Sequence, residues 1–151
     1  MKIERKSLVF DNLLTYRTRQ AKADWQDGVF FMEDAPLTTE IYKAGPVFFS
    51  CSTEDSADST GDFTYYLPIN AEVEMNDQSP VEFLETFMVE DALVLRQADA
   101  AADFYAAYQR VRDYAAEEGI ALMDHYYCVL LDVYGEYIID LYVPIKEPGA
   151  A

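Results

Sequence analysis

Little in this chain is suited to holding a metal or closing a disulfide network. Two cysteines, Cys51 and Cys128, and one histidine, His125, are spread over 151 residues. There is no C-x-x-C pair and no metal-like spacing to the histidine, which argues against a disulfide framework and a structural zinc site. Basic charge is also scarce. Eleven Lys and Arg stand against 28 Asp and Glu, a net charge of −17. Such a surface repels phosphate backbones and anionic membranes, so neither nucleic acid nor a membrane is expected as a partner. No apolar run approaches the roughly 20 residues of a membrane span. The opening MKIERKSLVF has neither the apolar core nor the cleavage site of a signal peptide, so the cytoplasm is the expected location. G-x-S-x-G, H-E-x-x-H and P-loop motifs are missing, as is a locally supported Cys–His pair. The motifs therefore give no catalytic residue, no cofactor and no metal.

Aromatic residues are plentiful: 12 Tyr, 9 Phe and 1 Trp in a chain that is 51% apolar. That composition can bury the core of one domain spanning residues 1–151. It also repeats itself. Laying Leu14–Trp25 over Leu93–Phe104 at an offset of 79 matches Leu14/Leu93, Arg17/Arg96, Ala21/Ala100, Ala23/Ala102 and Asp24/Asp103 without a gap, and Trp25/Phe104 in kind. The same offset sets PVFFS (46–50) on HYYCV (125–129). The strands FTYYLPI (63–69) and IDLYVPI (139–145) then end alike at an offset of 76. One unit used twice explains these matches, with repeat one at about 7–69, a polar link at about 70–80 and repeat two at about 81–147.

Each unit reads strand–helix–strand–strand. Leu8–Thr18 and Ala92–Gln97 carry the apolar, partly alternating pattern of strands. Phe104, Tyr108, Val111 and Ala115 form a helical stripe, opened by Asp103 and capped by Gly119. Trp25, Val29 and Met32 copy it in the first unit until Pro36 breaks the helix. The second strand pair turns at Tyr134-Gly135 and the first through the longer Ser52–Gly61 loop. The predicted class is α+β, duplicated modules with an antiparallel sheet related by a pseudo-twofold.

The run from VLRQADAAADFYAAYQ to IIDLYVPIK resembles the last repeat of GyrI-like proteins, which also serve as effector-binding domains of bacterial transcription activators. An Arg-bearing strand, a Tyr-rich helix ending in acidic-Gly, an aromatic strand and an acid four residues before Pro-Ile carry the likeness. GPVFFS followed by FTYYLPI extends it into the first half. The chain is also similar to an uncharacterised Gram-positive family of about this size. The GyrI-like resemblance implies a ligand cleft between two modules. It also implies a pocket acid on the last strand, a glutamate in the family, where this chain has the shorter Asp140.

Asp140 interrupts an apolar strand, where a carboxylate is costly to bury without a partner. Alternation puts Asp140 and Tyr142 on one strand face, and the duplication makes Thr64 and Tyr66 their counterparts. A cleft with two tyrosines, a threonine and a carboxylate suits a flat apolar ligand. The rings supply area and attract a cation over their faces, and the acid complements a positive charge. A second reading has Asp140 pairing with Arg96 or Arg17 and holding the sheet together. A third, implied by the resemblance, is hydrolysis of strained electrophiles, with Asp140 orienting water beside Tyr142 or Tyr66. Trp25 and most tyrosines, among them Tyr65, Tyr126, Tyr127, Tyr134 and Tyr137, read as core or strand residues, and His125 as an ordinary polar residue.

Between Lys43 and Arg96 there is no Lys or Arg but eleven carboxylates, Glu54 to Asp91. A solvated acidic face explains them, as does a surface that engages a basic protein partner or imitates DNA. The leading expectation is a stand-alone protein binding a small-molecule ligand.

Overall fold

A computed structural model describes residues 3–34, 40–52, 60–97, 104–133 and 136–146. The elements run β1 (Ile3–Ala21), a short 3-10 turn (Lys22–Asp24), α1 (Trp25–Glu33), β2 (Phe48–Ser52), β3 (Thr60–Pro68), β4 (Val81–Gln97), α2 (Phe104–Glu118), β5 (His125–Val133) and β6 (Glu136–Pro144). The expected break at Pro36, loop 53–59, the helix-opening Asp103 and the Tyr134-Gly135 turn lie outside the described residues. The class is α+β: six antiparallel strands with two helices.

The strands close in the order β1-β3-β2-β5-β6-β4, with β4 returning to β1. Closure comes from the length of β1 and β4, 19 and 17 residues, well beyond the expected Leu8–Thr18 and Ala92–Gln97. Each long strand serves two partners. The N-terminal part of β1 lies along β4, and from Leu13 onward β1 also takes β3; β4 takes β6 from Ala92 onward. The β1/β4 register slips between Lys6 and Leu8, a bulge that lets the ribbon bend. Asn12, at φ 59, sits just before the second partner begins, and asparagine tolerates that left-handed conformation better than most residues. Its carbonyl accepts from the Ile69 amide at 2.8 Å, as that of Asp91 accepts from the Ile145 amide at 2.9 Å.

Pairing recurs along the chain. Leu13 faces Pro68 on β1/β3 and Ala92 faces Pro144 on β4/β6; Phe48 faces Tyr66 and Tyr127 faces Tyr142. Between β2 and β5, Phe48 faces Val129 and Ser50 faces Tyr127.

Side-chain alternation gives the sheet two faces. The helices cover much of the outer face, while Val9 and Met88 on the β1/β4 ribbon stay exposed there. α1 lies on β1 and β3 and buries Trp25, Val29 and Met32; α2 lies on β4 and β6 and buries Ala107, Tyr108, Val111 and Ala115. Under them lie Phe49, Phe63, Tyr65, Leu67, Tyr126, Cys128, Leu141 and Val143. Gly28 is forced by close approach, since a Cβ there would stand 2.1 Å from the Tyr65 ring. The Tyr65 hydroxyl donates to the Trp25 carbonyl at 2.6 Å and accepts from Gln20 Nε2 at 2.8 Å. Gly119, at φ 70, ends α2, and the Ile120 amide reaches back to the Ala115 carbonyl at 2.8 Å.

Candidate functional site

The inner, helix-free face is lined by the other parity. Leu8, Leu13, Phe48, Phe87, Val89, Ala92, Val94, Val129 and Tyr142 are buried there, with Phe10, Tyr66, Leu84, Tyr127 and Leu131 partly so. Aromatic rings dominate its middle. Tyr66 stacks on Phe48 with centroids 4.6 Å apart and planes at 10°, and Phe87 packs obliquely on both at 5.0 and 4.9 Å. Tyr127 stands edge-on to Phe87 at 5.1 Å and to Tyr66 at 6.3 Å. Tyr66 and Tyr127 stay half-buried.

Thr64, Tyr66, Asp140 and Tyr142 all have the strand parity of this inner face. They occupy two sides of it. Thr64 faces Arg17 and Ser50, and Tyr66 faces Thr15 and Phe48. Asp140 faces Arg96 and Val129, and Tyr142 faces Val94 and Tyr127. Tyr127 thus stands between Tyr66, whose ring it meets, and Tyr142, its partner in register.

Asp140 is the one buried charged residue among those described. Both of its oxygens accept from one side chain: Arg96 Nε donates to Oδ1 at 2.8 Å and Nη2 to Oδ2 at 3.0 Å. The pairing is two-pronged, the geometry in which a guanidinium matches a carboxylate best. Of the two arginines considered from sequence, Arg96 is the partner, because the β4/β6 register sets it directly across from Asp140. Arg17 faces the Thr64 hydroxyl position instead and bears electrostatically on Tyr66. A cavity of about 190 Å³ opens at the Asp140–Arg96 pair, lined also by Glu4, Lys6 and Val94, and Lys6 Nζ lies 3.0 Å from Glu4.

The inner tyrosines are held neutral. Burial pushes the Tyr127 hydroxyl up to about 12. It also raises Tyr66, against a hydrogen bond with Ser50 that works the other way. Tyr142 is raised by burial first and by the Asp140 charge second. None of the three is prepared as a phenolate near neutral pH.

Other residues singled out in the sequence fall elsewhere. Trp25, Tyr65 and Tyr126 belong to the core under the helices. His125 lies 3.7 Å from Asp124 and edge-on to Tyr127. Tyr134 lies outside the described residues, and Tyr137 is seen only as a β6 backbone position opposite Asp132. Sequence reasoning passed over Phe48, Phe87 and Tyr127 as ring-bearing members of the inner face, and Glu4 and Lys6 as its charged rim. Phe48 and Tyr127 each sit in a run of adjacent aromatics, where only pairing register decides which ring points inward.

No protein-family model and no curated protein matches the chain. Solved structures do. EcmrR, in a complex with DNA, matches 97% of this chain at TM-score 0.70 and 12% identity, and the chain spans 58% of EcmrR. A protein described as a hydrolase from Listeria innocua matches 96% of this chain over 92% of its own, at TM-score 0.67 and 13% identity. SAV2435, solved with tetraphenylphosphonium, matches 97% over 94%, at TM-score 0.52 and 12% identity. At such identities the likeness is one of fold, and it supports the GyrI-like fold that the sequence resembles.

Proposed function

We propose that this chain is a small-molecule-binding protein that holds an aromatic ligand, cationic ones included, on the inner face of the barrel. The observation that carries the reading is the ring group of Phe48, Tyr66, Phe87 and Tyr127, with the buried carboxylate Asp140 on the same strand face as Tyr142, the register partner of Tyr127. Rings give area and favourable contact with a delocalised cation, and one acid gives charge complementarity. In this reading two β-α-β-β units, about 7–69 and 81–147, form the two sides of the cleft. The recurrence of strand pairing supports it: Leu13–Pro68 and Phe48–Tyr66 return as Ala92–Pro144 and Tyr127–Tyr142, at the offsets of 79 and 76 found in the sequence. So does a neighbour of the same fold that was solved with a lipophilic cation. Thr64, Tyr66, Asp140 and Tyr142 are the proposed contacts, joined by Tyr127.

Thermal unfolding with tetraphenylphosphonium and with neutral triaryl compounds tests the reading, because a ligand of the native state raises apparent stability. A rise in Tm that Tyr66→Ala and Tyr127→Ala diminish is expected. No shift with any aromatic compound would count against it. Hydrolysis is the second reading, favoured by the neighbour described as a hydrolase. Product release at catalytic protein concentration distinguishes it. The inner tyrosines, neutral and with raised pKa values, give it no ready base. Association with a basic protein through the acidic segment is distinguished by its steep loss with added salt.

A further inference from the structure

The two members of the Asp140–Arg96 pair are unequally placed. The Asp140 side chain is 7% exposed and the Arg96 side chain 59%. Each carboxylate oxygen accepts one guanidinium N–H, yet the arginine side chain stands mostly in water. The arginine has many rotamers and good hydration when released, while the aspartate has neither alternative. The cavity of about 190 Å³ is lined by both members of the pair together with Glu4, Lys6 and Val94, so a group arriving there meets the guanidinium beside the acid. The opposite side of the inner face lacks the arrangement: Arg17 occupies the register position across from Thr64, a hydroxyl residue with no charge to be masked.

We infer that Arg96 is an internal cation that masks Asp140, and that a positively charged ligand binds by exchanging with it. The inference rests on the reading of the inner face as a ligand site. It adds the residue that sets the selectivity of that site. While Arg96 is seated, its guanidinium takes one lone pair of each Asp140 oxygen and offsets the carboxylate's charge. The site then recognises aromatic surface alone. A ligand whose charge reaches Asp140 must release the guanidinium to water, and its apparent affinity is lowered by the fraction of time the acid is masked. Weakly hydrated, delocalised cations lose least on leaving water and compete best. Neutral aromatic ligands bind without disturbing the pair.

The test is calorimetric titration of tetraphenylphosphonium and of neutral triphenylphosphine oxide into the wild type, Arg96→Gln, Arg96→Lys and Arg96→Gln/Asp140→Asn. Glutamine can still donate a hydrogen bond to Asp140, which limits structural loss, but it brings no charge. Arg96→Gln is expected to tighten tetraphenylphosphonium by about tenfold and to change triphenylphosphine oxide by less than about twofold. The gain should vanish in the double variant, since it depends on the freed carboxylate. Arg96→Lys keeps the charge without the fork, and a gain of about two- to threefold is expected. It keeps the test available if Arg96→Gln fails to fold. Wild-type binding of the cation with no gain in either Arg96 variant overturns the masking and leaves the ligand site standing. Equal tightening of the neutral compound overturns it too, because that would mean a general opening of the face. Absence of binding of both compounds to every protein overturns the ligand-site reading and the masking with it.

Discussion

Trp25 and Phe104 meet edge to face, with ring centroids 5.1 Å apart and planes at 76°. Each is the first residue of a helix, and each also packs on Phe49, at 5.6 Å in both cases. Phe49 is thus the point in the sheet where the two helix starts are joined. It is fully buried, and Phe63 and Tyr65 close around it. Phe49→Ala should lower stability by about 3–5 kcal/mol, the range for deleting a large buried ring. Urea unfolding measures it. A loss below about 1 kcal/mol would mean that the helices do not depend on this contact.

Gly28 offers a second check on the same core. A methyl group at this position has no space beside the Tyr65 ring, whose hydroxyl is tied to the Trp25 carbonyl and Gln20. Gly28→Ala must push either the helix or the ring away, and a cost of about 2–3 kcal/mol is expected despite the better helix propensity of alanine. Tyr65→Phe keeps the ring and removes the hydrogen bonds, costing about 1–2 kcal/mol. If Gly28→Ala proved neutral or stabilising in thermal unfolding, α1 would have to sit farther from β3 than it does here.

Helix stripes and aromatic strands were readable because their periodicity is local. Trp25, Val29 and Met32, and Tyr108, Val111 and Ala115, are buried on the spacing that predicts them. The outer halves of β1 and β4 were not readable. IERKS and VEFLETFMVED mix charges into the pattern, and the β1/β4 ribbon leaves Val9 and Met88 exposed while Phe10 and Phe87 turn inward. Their strand state is conferred by pairing over long sequence distance, IERKS with Ala92–Leu95 and the run from Val81 with Leu8–Tyr16. The site divides in the same way. That an acid in YIIDLYVPI would be buried followed from the strand itself; that its partner is Arg96 rather than Arg17 depended on the β4/β6 register, a tertiary fact.

Tyr127 carries a pH signature. Its hydroxyl is pushed from 10.0 to about 12 by burial on the inner face. The folded state therefore holds this proton longer than the unfolded chain does. The associated stability is fully present below pH 10 and is lost as pH rises through about 12. Allowing for the partial exposure of the ring, the loss is on the order of 1–2 kcal/mol. Denaturant unfolding at pH 8.5 and about pH 11 should show it in the wild type and show less in Tyr127→Phe, which has no proton to lose. The same decline in both proteins would assign the alkaline lability to other groups.

The Asp140–Arg96 pair should also break unequally. Removing the acid leaves an arginine side chain that is already 59% exposed and whose guanidinium returns to water at little cost. Asp140→Asn even keeps an acceptor for one of the two hydrogen bonds, so a loss of only about 0.5–1.5 kcal/mol is expected. Removing the base leaves a carboxylate that is 7% exposed with both oxygens unpaired. Lys6 stands at the same cavity, but its Nζ already contacts Glu4 at 3.0 Å. Arg96→Ala should therefore cost about 2–4 kcal/mol, the penalty of stranding a buried charge softened by the adjoining cavity. The double variant Arg96→Ala/Asp140→Asn should recover much of that, because the stranded charge is gone. Urea unfolding of the wild type and the three variants near pH 7 gives the whole cycle. Equal costs for the two single variants, or a larger cost for Asp140→Asn, would mean that Asp140 reaches water by another route. Its burial would then not be what makes Arg96 necessary.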